Sequence, residues 1–174
     1  MEVLISENKI EKRINELAKE INKEYEGKEL ILLGILKGSI VFMVELAKKL
    51  KMKVKFEFME VSSYEGTEST GNLKIKKALK EDIEGKDVLI IEDIIDTGRT
   101  LKELKKYLEA KNPNSVKIAT LLSKPSRRVV EIEADYMGFE VEDKFVVGYG
   151  LDYNQKYRNL PYIGYIGEKW RMVM

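Results

Sequence analysis

Apolar residues in this chain fall into short runs that alternate with charged turns, and two spacings dominate. Ile10, Ile14, Leu17, Ala18 and Ile21 recur at helical spacing with charged residues between them, so a helix is expected there, with Ser6 as its cap. Leu30 to Ile35 is a short apolar run that ends in a Lys37-Gly38-Ser39 turn, after which Ile40, Val41, Val44 and Leu46 to Leu50 predict a helix. Val54, Phe56 and Phe58 alternate as a strand does. Ser62 to Asn72 is polar, contains Gly66 and Gly71, and predicts a long mobile loop. Asp87 to Glu92 carries the strand VLII, the turn IDTGRT follows, and Leu101, Leu104 and Leu108 mark one face of a helix ending near Asn112-Pro113. Val116 to Leu122 and Phe145 to Val147 supply further strands, before an aromatic-rich region punctuated by Gly148, Gly150 and Pro161. Strands alternating with helices imply an α/β fold with a mostly parallel sheet flanked by helices. In such sheets a ligand site lies outside the carboxyl ends of the strands, where both glycine-containing turns fall.

Composition narrows the chemistry. The chain has 174 residues, 44% hydrophobic and 35% charged, which suits one ordered domain spanning residues 1–174. Lysine and arginine total 31 against 30 acidic residues, so a net charge of +1 gives no general attraction to nucleic acid or anionic membrane. Cysteine is absent, which removes disulfides and thiolate metal sites and fits a cytoplasmic location. Histidine is absent too, leaving carboxylates, lysines and backbone groups to carry any acid–base chemistry. No run of about 18 apolar residues suggests a membrane span, and no Walker or dinucleotide fingerprint occurs.

The most informative segment is VLIIEDIIDTGRTL, Val88 to Leu101. Asp96, Thr97, Gly98, Arg99 and Thr100 can present consecutive N–H groups and two hydroxyls at a helix N-terminus, which suits a phosphate monoester. Glu92 and Asp93, at the strand end, suit sugar hydroxyls or a hard magnesium ion bound to them. The run resembles the binding signature for phosphoribosyl pyrophosphate (PRPP) of the type I phosphoribosyltransferases, in which four apolar residues precede two acids and a D-T-G-x-T turn.

Three further segments resemble the hypoxanthine-guanine branch of that family. GILKGSIVFM resembles its pyrophosphate loop, which implies roles for Leu36, Lys37, Gly38 and Ser39 and a cis peptide between Leu36 and Lys37. VSSYEGTESTGNLKI is similar to a loop that closes over the site to exclude water, with Ser63 and Tyr64 as the matching residues. DKFVVGYGLDYNQKYRNLPYIG resembles the hood over the base. The resemblance there implies that Phe145 stacks on a purine, Val146 offers backbone groups to the base edge, Asp152 helps hold magnesium and Arg158 meets pyrophosphate. It further implies Asp96 as general base or proton relay for purine N7, and Glu92, Asp93 and Asp152 as ligands of Mg2+. The implied architecture is a type I core at about residues 30–125, with a hood formed largely by 126–174 and the N-terminal segment. The implied substrates are PRPP and a 6-oxopurine, with a homodimer or homotetramer as the assembly and no nucleic-acid or membrane partner.

One position departs from the pattern. The resemblance places a lysine that contacts the purine 6-oxo group two residues before an Asp-Tyr pair, and Glu133 stands there in EIEADYMGFE. A carboxylate would repel the oxo group; it would instead accept from an exocyclic amine, be displaced outward, or leave recognition to the Val146 backbone and a nearby lysine such as Lys124 or Lys144. Xanthine or adenine preference, and a regulator that senses PRPP or nucleotide, stand as alternatives to 6-oxopurine salvage.

Overall fold

A computed structural model describes residues 1–63 and 73–167. A six-stranded sheet in the order β4-β3-β2-β5-β6-β7 forms the body, from β2 (Glu29–Ile35), β3 (Lys53–Ser63), β4 (Leu73–Lys77), β5 (Asp87–Ile95), β6 (Ser115–Ser123) and β7 (Tyr136–Glu140). All its pairings are parallel except the edge pair β3 and β4. Helices α1 (Glu7–Glu24), α2 (Ile40–Ala47) and α3 (Arg99–Glu109) complete the α/β arrangement.

The central strands are buried on both sides, which explains why they read as unbroken apolar runs. Leu30, Leu32, Leu89 and Ile91 join the core that α1 and α2 cover, through Ile10, Ile14, Leu17, Ile21, Phe42 and Leu46. The alternate residues Ile31, Leu33, Val88 and Ile90 meet Leu101, Leu104 and Leu108 of α3 in a second core. Side-chain alternation along each strand thus divides one run between two helical layers.

Ser6 caps α1 by accepting from the Lys9 N–H at 3.4 Å. Gly98 caps α3 at φ +84°, a left-handed conformation, and a Cβ there would collide with Ile132. That backbone turns the chain sharply enough to aim the start of α3 back at the end of β5.

A second sheet joins the two ends of the chain. β1 (Glu2–Ile5) pairs with β9 (Ile163–Tyr165), which in turn pairs with β8 (Val146–Val147), all antiparallel. Arg13 ties α1 to β7 by donating to the carbonyls of Gly138 (3.0 Å) and Met137 (2.7 Å).

Several boundaries differ from expectation. β5 runs through Glu92 and Asp93 to Ile95, so the acids lie within the strand and not beyond it. Ser62 and Ser63, expected in the loop, pair with Lys74 and Leu73 as strand residues. Helix α2 stops at Ala47 rather than near Leu50. Residues 136–140, assigned by sequence to the hood, join the main sheet beside β6.

Candidate active site

The carboxyl ends of the parallel strands open into a cleft of about 540 Å³, lined by Asp93 and Asp96 from the end of β5, Lys124 and Arg127 after β6, and Phe145, Val146 and Asp152 from the hood. Three separate turns meet at one edge of it. A Cβ at Gly38 would strike the Asp93 carboxylate, and one at Gly150 would strike the Gly38 carbonyl. The turn after β2 therefore packs its backbone against the Asp93 side chain on one side and the Gly150 backbone on the other, an approach that glycine permits.

Glu92 and Asp93 are half-buried neighbours. Burial raises the Glu92 carboxyl well above the ordinary glutamate range, and the adjacent Asp93 charge raises it further. Burial raises Asp93 as well, opposed by hydrogen bonding with Glu92, by the Ile94 N–H at 2.7 Å and by the charge of Arg158. A pair held this way suits hydroxyl groups or a cation arriving with the ligand. Because the folded pKa of Glu92 lies above its unfolded value, the folded chain loses stability as pH rises from the ordinary glutamate range toward that raised value. Glu92→Gln removes this slope, and the unliganded protein is expected to melt about 2–4 °C higher at neutral pH for each kcal/mol relieved. Thermal denaturation across pH 4 to 8 would check this; a variant whose melting curve tracks the parent's at every pH would refute the assignment.

The Asp96–Thr100 turn, expected to bind phosphate, follows the pair by three residues. Thr100 Oγ1 donates to Ser63 Oγ at 3.1 Å, joining the turn to the last residue of β3. Arg99 is exposed, and its N–H lies 3.5 Å from Thr97 Oγ1. Tyr64 lies outside the described residues. Asp96 Oδ1 accepts from Arg127 Nε at 3.1 Å, and this bond pushes the guanidinium of Arg127 still higher than usual. Arg127 Nη1 also lies 3.8 Å from Asp143 Oδ2, whose Oδ1 is 3.6 Å from Lys124 Nζ. A charge-alternating chain of Asp96, Arg127, Asp143 and Lys124 thus crosses the cleft.

In the turn after β2 the Leu36-Lys37 peptide is cis, as the resemblance implied. Lys37 is exposed, and its Nζ donates to Gln155 Oε1 at 3.2 Å. Arg158 Nη2 donates to the same oxygen at 3.2 Å, pairs with Asp152 at 3.2 Å, and anchors to the Gly150 carbonyl through Nη1 at 2.7 Å. Lys37 and Arg158 thus converge on one neutral amide oxygen, with the Asp152 carboxylate balancing the arginine. Ser39 differs from expectation: it is fully buried, and its hydroxyl donates to the Ile35 carbonyl at 2.7 Å, so it braces the turn from inside.

Phe145 borders the cleft and meets Tyr153 edge-on, with centroids 5.6 Å apart. Glu133 is not among the cleft-lining residues; it is 75% exposed and lies 3.8 Å from Arg128 Nη2. The base-recognition role weighed for it is corrected by its position, because its side chain points out to solvent. Lys124 is in the cleft instead, only 8% exposed. Lys144 borders the cleft as well, but its ammonium sits 5.4 Å over the Tyr165 ring and 3.2 Å from Glu142.

Sequence reasoning did not single out Arg127, Asp143, Tyr153 or Gln155. Gln155 carried the best available signal, as it lies between Asp152 and Arg158 in the aromatic-rich segment. No cluster of three metal-binding side chains occurs among the described residues. Asp93 and Asp152 nevertheless share the cleft, and magnesium is commonly held by one or two carboxylates with substrate oxygens and water completing its shell. The donor set therefore fits a magnesium ion that arrives with a polyphosphate.

Comparison with known proteins gives a consistent result. The phosphoribosyl transferase domain family matches residues 4–154. The hypoxanthine-guanine phosphoribosyltransferase of Staphylococcus aureus (strain Mu50) is 53% identical over 164 residues, covering 94% of this chain and 92% of that protein. The bifunctional protein TilS/HprT of Listeria monocytogenes (serotype 4b) is also 53% identical over 163 residues, but the chain spans 25% of its length. A crystal structure of a Staphylococcus aureus hypoxanthine phosphoribosyltransferase superposes with a TM-score of 0.93 at 51% identity, covering 97% of this chain and 92% of the other.

Proposed function

The chain belongs to the phosphoribosyl transferase family, and we propose that it transfers the 5-phosphoribosyl group of PRPP to N9 of a 6-oxopurine, hypoxanthine and also guanine, with release of pyrophosphate. The observation that carries this is one cleft lined by Asp96 at the start of the turn after β5, by Phe145 and by the near-buried Lys124. The Asp96 to Thr100 turn receives the 5′-phosphate, Glu92 and Asp93 the ribose hydroxyls, and Lys37, Gly38 and Arg158 the pyrophosphate, with Leu36 setting the turn. Phe145 stacks on the base, and Val146 and Lys124 read its edge.

N9 displaces pyrophosphate at C1′ of the ribose, and the N7 proton, made acidic as that bond forms, passes to the Asp96 carboxylate. Arg127 holds this carboxylate in place from Oδ1. Glu92, Asp93 and Asp152 would hold magnesium, which when bound neutralises charge on the departing pyrophosphate. The rest of the rate enhancement comes from positioning two reactants in a site that keeps water from C1′.

Ile40 and Val44 on α2, each 40% exposed, offer apolar surface that a second copy would cover in a dimer or tetramer. No described helix is long and apolar enough to cross a membrane, which is compatible with a cytoplasmic salvage enzyme.

Nucleotide formation from hypoxanthine, guanine, xanthine and adenine with PRPP, with and without magnesium, tests the reading. Magnesium-dependent product from hypoxanthine and guanine is expected. Product from adenine or xanthine alone would overturn the base assignment, and no product from any base would overturn the activity.

A further inference from the structure

We propose that Arg128, with Glu133 as its counter-charge, is the positioning residue that holds the phosphate turn in its PRPP-binding shape. This rests on the reading of that turn as the 5′-phosphate site. Arg128 spends Nε, Nη1 and Nη2 on protein oxygens, so it acts through the turn and not on the ligand.

A guanidinium presents five N–H donors in a rigid plane. Here Nη1 donates to the carbonyls of Asp96 (2.6 Å) and Ile95 (3.1 Å). Nε donates to the Ile132 carbonyl at 3.1 Å, and Nη2 to Ser123 Oγ at 2.7 Å. Glu133 Oε2, 3.8 Å from Nη2, supplies the negative charge. A side chain only 10% exposed thereby ties the end of β5 to the end of β6 and to the segment that follows.

The consequence for the ligand follows from peptide geometry. In a trans peptide the C=O and N–H point opposite ways, so fixing the Ile95 and Asp96 carbonyls on the guanidinium aims the Asp96 and Thr97 N–H groups away from it. Neither N–H has an acceptor among the described residues. They are unsatisfied donors at the place where the phosphate is bound. The stem of Arg128 supports the turn from behind, since a Cβ at the left-handed Gly98 would lie 3.1 Å from its Cδ and 3.4 Å from Val130 Cγ2. Glu133, which is outside the base site, thus gains a physical role: it compensates a cation that is nearly buried.

Arg128→Lys keeps the stem and the charge but cannot bond both carbonyls and the Ile132 oxygen at once. We expect KM for PRPP to rise about tenfold or more, with KM for hypoxanthine within about twofold of the parent. PRPP titrated calorimetrically in magnesium buffer, without base, should show the same weakening. Glu133→Gln should melt close to the parent and Glu133→Lys, which sets a second cation beside the guanidinium, somewhat lower; both should raise KM for PRPP about two- to fivefold with lysine the stronger, and leave the relative rates on hypoxanthine, guanine and adenine unchanged.

A folded Arg128→Lys protein with the parent's affinity for PRPP would sink the proposal, as would a loss spread evenly over both substrates. If that variant does not fold, the glutamate variants decide: a changed base ratio or an unchanged PRPP KM in Glu133→Lys counts against it. A parent chain that neither binds PRPP nor makes nucleotide overturns the functional reading itself, which separates the two failures.

Discussion

Asp96→Asn is expected to lower kcat for nucleotide formation by about 10²- to 10⁴-fold, the usual range for losing a positioned general base, while KM for PRPP changes little. Asp96 lines the cleft, and its Oδ1 is engaged by Arg127. Asparagine keeps a carbonyl oxygen for that contact and leaves the backbone of the turn in place, so phosphate binding should survive. On the proposed reading, what disappears is the carboxylate that takes the proton from purine N7. The chain has no histidine to substitute for it. Steady-state kinetics with hypoxanthine and PRPP would measure the effect. A kcat close to the parent's would show that Asp96 serves only the phosphate turn. A rise in KM for PRPP alone would mean the same.

Arg127→Gln approaches that carboxylate from the other side. Its exposed guanidinium bridges Asp96 and Asp143 while lining the cleft, so it would hold the carboxylate proposed as general base. Nothing in the local sequence marks it, because its two partners lie 31 residues before it and on a separate hood segment after it. This is the general reason some of the site could be read from the chain and some could not. The Asp96 to Thr100 turn is continuous, follows an apolar strand and opens a helix, so its chemistry is visible in a dozen residues. Lys37 and Gly38 have the same local context.

The elements that escaped notice are held together by distant pairing. β1 carries too few residues to show an alternation, and it exists because Glu2 lies opposite Tyr165 at the other end of the chain. β4 and β7 are five-residue edge strands whose partners, not their composition, make them strands. The buried central strands were legible because two helical layers demand apolar residues on both faces. Glu133 stayed open between several readings for a related reason: an ungapped match in sequence fixes a position along the chain but not the direction of its side chain. Here that direction is outward, toward Arg128.

With Lys124 as the proposed reader of the base edge, Lys124→Gln is expected to lower kcat/KM for hypoxanthine and guanine by about 10- to 100-fold, the equivalent of one charge-assisted hydrogen bond. Lys124 follows β6 directly, its N–H held by the Ile95 carbonyl at 2.9 Å, so its backbone is fixed to the strand that carries the phosphate turn. Its ammonium is drawn to the cleft side by Asp143. An ammonium has donors and no acceptor, so it favours a 6-oxo group and opposes the 6-amino group of adenine. Glutamine loses the charge and presents both a donor and an acceptor. The variant should therefore lose rate on the oxopurines while its low rate on adenine holds or rises, compressing the preference from both directions. Competition between hypoxanthine and adenine for limiting PRPP measures that ratio directly. If Lys124→Gln leaves it intact, the Val146 backbone alone must read the base edge; if Glu133→Lys shifts it instead, the outward direction of Glu133 does not hold when the base is bound.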